Sequence, residues 1–185
     1  MGLDIYFMKR RGTNARIERA LAKFYQQFNE ESPVAEVRRL ADELGIADRV
    51  AIKENTYTTN IDGQEKKVKY VTAYRSDSDE VAYFRKHNHL LPYFGYGENC
   101  TDLTVTRKAL QKFVSDAKKV LRHWGKRDFE KVAKEVMPTC VGFFYGSYDY
   151  DDWYRQELED EINQLSEVIK STDFRKDRIV MHCWW

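Results

Sequence analysis

The segment EVAYFRKHN places Glu80, Tyr83, Arg85, His87 and Asn88 close together. Read as a helix, it sets Glu80, Tyr83 and His87 within about 60° of one another, with Arg85 and Asn88 in an adjacent sector. A carboxylate, a phenol and an imidazole on one side could move a proton, and the guanidinium and amide could grip a polar ligand. The plainer alternative is an ordinary surface helix opening at Asp77, with Glu80 completing a capping box.

A second concentration is GFFYGSYDYDDWYRQE, from Gly142 to Glu157. The spacing predicts a strand over Val141–Tyr145 that leaves through Gly146. This puts Ser147 just past a strand end, and Tyr150 and Asp151 at a helix start. Strand ends and helix starts carry free backbone N–H groups and often carry sites. The competing reading is structural: Phe143 and Phe144 in a core, and Asp149 or Asp151 as a helix cap. No Gly-x-Ser-x-Gly elbow occurs, because Gly146 directly precedes Ser147 and Asp149 stands where the second glycine belongs.

Asn99 and Cys100 form the third candidate, in a loop after the Pro92 break. A cysteine near a histidine is a potential nucleophile pair, and a small buried filler is the alternative. No metal site is expected: His87 and His89 diverge by about 200° on a helix, and neither Cys-x-x-Cys nor His-Glu-x-x-His occurs. No Gly-rich phosphate loop is present either, so no cofactor is expected.

Alternating and helical periods supply the elements that must position these groups. Apolar strands are predicted at Leu3–Met8 and Ile179–Cys183, and a hairpin over residues 50–74 turns at Asp62-Gly63. Helical stripes run through Leu21, Phe24 and Phe28, through Val37, Leu40 and Ala41, through Leu110, Phe113 and Ala117, and through Tyr154, Leu158 and Leu165. A break in composition is absent. The expectation is therefore one α+β domain over residues 1–185, with a mixed sheet of about five strands packed by amphipathic helices. Leu3–Met8, Val68–Tyr74, Val141–Tyr145 and Ile179–Cys183 are expected to share that sheet.

The 185 residues hold 31 basic and 30 acidic side chains, a net charge of +1. That balance disfavours broad attraction to nucleic acid or anionic lipid. There is no apolar run of about 18 residues, so no membrane span is expected. Three cysteines without paired spacing fit a reduced, cytoplasmic setting. Gly2 invites a myristoyl reading, but position 6 is Tyr rather than Ser or Thr.

These residues resemble a widespread family of phage, prophage and bacterial proteins. The resemblance rests on MGLDIYF (residues 1–7), EVAYFRKHN (80–88), the Asn99-Cys100 pair, GFFYGS (142–147) and the Tyr150, Asp151, Trp153, Tyr154 set. The family often has Trp at the Phe84 position and Ala at the His87 position, which weakens His87 as a shared catalytic group. It carries no established activity. The resemblance therefore implies site residues rather than a reaction: Glu80, Arg85, Asn88, Asn99, Cys100, Ser147, Tyr150 and Asp151.

The resulting expectation is an accessory module binding a protein or small polar ligand through an aromatic-polar concavity. The first alternative is a small enzyme or binding protein acting on a nucleotide or phosphorylated metabolite. The second is nucleic-acid binding, with Lys66, Lys67, Lys69 and Arg75 near phosphates and tyrosines stacked on bases.

Overall fold

The computed structural model describes residues 2–61, 64–96, 102–142 and 145–184. Its elements make an α+β fold, with a four-stranded and a two-stranded sheet. The chain divides into two compact units, one of Met1–Arg11 with Asp79–Trp185 and the other of Gly12–Ser78.

In the first unit, β1 (Asp4–Arg11), β4 (Ser78–Arg85), β5 (Leu103–Val105) and β6 (Asp177–Trp184) form a sheet in the order β4-β1-β6-β5. β1 and β6 run antiparallel, with Ile5 opposite Cys183 and Tyr6 opposite His182. Period-two alternation sends Ile5, Phe7, Phe84, Ile179, Met181 and Cys183 inward, all fully or almost fully buried. Burying each large apolar side chain contributes about 1.5–3 kcal/mol. The core is completed by α4 (Arg107–Leu121), α5 (Phe129–Val136) and α6 (Asp152–Ser171), through Leu110, Phe113, Ala133, Tyr154, Leu158 and Leu165. At the β4 edge, the Gln164 side chain of α6 accepts from Tyr83 N (3.3 Å) and donates to Tyr83 O (3.5 Å).

In the second unit, α1 (Ala15–Gln27) and α2 (Val34–Glu43) pack on the antiparallel ribbon of β2 (Val50–Ile61) and β3 (Gln64–Arg75). Leu21, Phe24, Val37, Ala41, Val50 and Val71 form its core. Asp77 is held by Arg75 Nε (2.9 Å) and Arg49 Nη1 (2.8 Å) and is almost wholly buried.

Three expectations are corrected. Val68–Tyr74 pairs with β2 in the two-stranded sheet and does not share the sheet of the terminal strands. Residues 78–85 form a strand instead of a helix, because Ala82 and Phe84 alternate inward against Tyr83 and Arg85. Asp77 accordingly bonds two arginines rather than capping a helix. The described Val141, Gly142 and Tyr145 are not in a strand. Gly142 O accepts from Tyr145 N (3.3 Å) and from Tyr148 Oη (3.1 Å) instead of from a neighbouring strand. Phe143 and Phe144 lie outside the described residues, as do Asn99 and Cys100.

Candidate functional site

The end of β4 runs into a turn over residues 86–89, and every side chain there has a separate task. Lys86 sits at a φ of 67°, a left-handed conformation rare outside glycine. Its N–H donates to Leu3 O (2.8 Å), and its carbonyl accepts from Asn88 N (2.8 Å). The turn is bought by the contacts that follow it.

His87 and His89 point into the core and meet α6. His87 Nδ1 lies 2.8 Å from Glu161 Oε1, and His89 Nε2 lies 2.9 Å from the same carboxylate. Glu161 and His89 are fully buried. Burial alone would push the Glu161 carboxyl up, but the His89 and His87 imidazoles outweigh it and hold it below the usual carboxylate range. Burial likewise pushes His87 down, and the bond to Glu161 more than reverses this, so His87 rises. Glu157 lies 3.7 Å from His89 Nδ1, beyond hydrogen-bond reach, and its carboxyl is raised by burial. This buried cluster anchors the turn and leaves His89 Nδ1 enclosed without a hydrogen-bond partner. Among the described residues, no group of three or more His, Cys, Asp or Glu side chains is placed to hold a metal ion.

Asn88 turns the other way and clamps the loop before α6. Its Nδ2 donates to Tyr145 O (3.3 Å) and Ser147 O (2.8 Å), and its Oδ1 accepts from Cys140 N (3.1 Å). The Cys140 thiol donates to Asn88 O, and burial pushes its pKa up, which opposes thiolate formation. Gly146 (φ 96°) lies against Lys86: a Cβ there would stand 3.0 Å from Lys86 Cβ, so the close approach requires glycine. Tyr150 Oη accepts from Thr139 N (3.1 Å), Ser147 Oγ accepts from Asp149 N (3.1 Å), and Asp151 caps α6 by accepting from Trp153 N and Tyr154 N. Such a cap stabilises by roughly 0.5–2 kcal/mol. The loop so held leaves Tyr148 (41%) and Trp153 (69%) exposed.

Arg85 turns outward from β4, on the sheet face opposite the core. Its guanidinium is half-exposed and lies 3.5 Å from Asp4 Oδ1. Tyr83, two residues earlier on the same face, donates to Asp4, and its ring centroid is 5.1 Å from that of Tyr6. The Tyr83 hydroxyl is raised chiefly by its bond to Asp4, and that of Tyr6 by burial and then by the charges of Asp4 and Glu80. Glu80 is exposed near the start of β4. It is not on a helical face with Tyr83 and His87, because the segment is a strand.

The structure therefore joins Arg85, through Lys86 and Gly146, to Asn88 and Ser147. Tyr150 and Asp151 shape the same loop through their bonds to Thr139 N and to the first turn of α6. Sequence reading missed Asp4, Tyr6, Lys86 and Glu161. Glu161 had a visible signal: it interrupts the stripe Tyr154, Leu158, Leu165 and Val168, where only apolar side chains belong.

No protein-family model, no curated protein and no solved structure matches the chain. No helix of the described residues is long and apolar enough to cross a membrane.

Proposed function

We propose that the protein is a non-catalytic cytoplasmic module that binds a protein or small polar ligand at the surface shared by Arg85, Lys86, Ser147 and Tyr148. The phage and prophage kinship suggested by its sequence segments belongs to the same proposal. The observation that carries it is the triple hydrogen bonding of Asn88, which fixes the loop to the turn before any ligand arrives. Preorganisation of this kind lowers the entropic cost of binding. Support for binding over chemistry comes from Asn88 and Asp151, whose side chains are occupied in shaping backbone, and from the Cys140 thiol, which donates to Asn88 O.

The test is a thermal-shift screen of polar metabolites together with affinity capture, run on wild type, Arg85→Ala and Tyr148→Ala. A ligand or partner should raise the melting temperature of wild type and fail with Arg85→Ala, while near-UV circular dichroism stays unchanged. Turnover of the bound molecule, or binding indifferent to both substitutions, would overturn the reading.

A further inference from the structure

On the face of the first unit's sheet away from the core, three rings stand in a row across neighbouring strands. Tyr83 on β4 and Tyr6 on β1 are 5.1 Å apart at 39°, and Tyr6 and His182 on β6 are 6.5 Å apart at 36°. His182 is held in place: its Nδ1 lies 3.0 Å from Asp102 Oδ1, and Asp102 is also paired with Arg10. The unit's main apolar core lies on the opposite face, and on this one Val180 is the buried neighbour of His182 along β6.

Two cations border this row. Arg85 follows Tyr83 by two residues on the same face, about 6.6 Å along the strand. Lys86 is next to it. Both reach the same small space above Gly2, where a Cβ would stand 3.2 Å from Arg85 Nη2 and 3.5 Å from Lys86 Cε. Asp4 lies between the rings and Arg85 and offers a carboxylate acceptor.

Resting on the binding reading above, we propose that the ligand is a nucleotide. Its base stacks on the Tyr6–Tyr83 rings and its phosphate is held by Arg85 and Lys86. Stacking on an aromatic side chain suits any base, because every base has a π-face. A guanidinium matches phosphate oxygens in a bidentate way, and the neighbouring ammonium adds a point charge. Asp4 can accept from a base amine or a sugar hydroxyl. Asp4 and Asp102 pair with Arg85 and Arg10, which weakens the pull of this face on a polyanion even with Arg178 opposite Arg10. The source is therefore a free mononucleotide, not a strand.

Isothermal titration with adenosine and guanosine monophosphates, their nucleosides, inorganic phosphate and a single-stranded oligonucleotide tests this. The monophosphate should bind wild type and Tyr6→Phe alike, since the ring is kept. Binding should fall at least tenfold in both Tyr6→Leu and Arg85→Gln. The nucleoside should be sensitive to Tyr6→Leu and nearly indifferent to Arg85→Gln. Monophosphate binding unchanged by Tyr6→Leu and by Tyr83→Leu would overturn the stacking assignment. Tighter binding of the oligonucleotide would overturn the free-nucleotide source. If no nucleotide binds while another polar ligand or partner does so through Arg85, the nucleotide proposal falls and the binding reading stands. If nothing binds through Arg85, both fall.

Discussion

Each unit buries one carboxylate between two nitrogen-bearing side chains. In the first, Glu161 is gripped by His87 and His89, and in the second, Asp77 is gripped by Arg49 and Arg75. The plan is shared, but the partners are not. A guanidinium keeps its charge at every accessible pH, whereas an imidazole loses its charge near neutrality. The arginines also keep a tenth or more of their side chains in water, while His89 and Glu161 keep none. The first cluster is thus conditional on pH and wholly enclosed at His89 and Glu161, while the second keeps its charge and leaves its arginines in touch with water.

Removing the carboxylate charge from each separates the two most sharply. Glu161→Gln should cost about 3–5 kcal/mol, because it takes the charged partner from two buried imidazoles. Asp77→Asn should cost about 2 kcal/mol, because its arginines can turn toward solvent. Urea unfolding midpoints measure both. Equal losses would erase the distinction.

The pH dependence should come next in size. His87 is raised from 6.5, so its contribution is fully present below that value and is lost as pH rises through the raised one. Glu157, raised from 4.5 by burial, works in the same direction from lower pH. Glu161 is lowered from 4.5, so its contribution is present above that value and fades as pH falls through the lowered one. Asp77 is also lowered, from 3.8, and Arg75 is raised above the already high guanidinium range, so this pair loses nothing across the neutral range. Amide protection factors, corrected for intrinsic exchange, should fall for Phe84 and Leu90 as pH rises above 6.5 and stay level for Val71. A parallel fall at Val71 would contradict the assignment.

The smallest effect should come from the strained residue that the first cluster holds in place. Lys86→Gly removes the Cβ that disfavours a φ of 67°, a conformation costing about 1–2 kcal/mol per residue. Glycine's greater freedom in the unfolded chain returns much of that. A rise of one or two degrees in melting temperature is expected, on the order of a few tenths of a kcal/mol. A drop would mean that the lysine stem contributes more packing than the strain costs.

Much of the fold was legible in the sequence because long stripes carry their period plainly. Leu110, Phe113 and Ala117, or Leu3, Ile5 and Phe7, admit one reading each. Residues 80–88 did not, because Glu80, Tyr83 and His87 fit a helical spacing while Val81, Tyr83 and Arg85 fit a strand. What settles the choice is the β1 partner, which no local window contains. The site divided in the same way. Asn88 and Ser147 were visible as polar residues in odd places, and they do meet. Asp4 and Tyr6 were hidden inside a strand whose core face drew the attention. Glu161 stood out as a break in an apolar stripe, but its two partners were hidden because they lie more than seventy residues away in the chain.

The Gln164 side chain beside Tyr83 has a consequence for how the molecule avoids its neighbours. An outer strand offers a row of unused N–H and C=O groups, and a second chain can lie down along it. Here one amide side chain presents a donor and an acceptor to the backbone of Tyr83, as the next strand would. It behaves as a single rung of a missing ladder. A sheet stoppered in this way is closed to further strands at that residue, so copies of the protein are kept from joining edge to edge there.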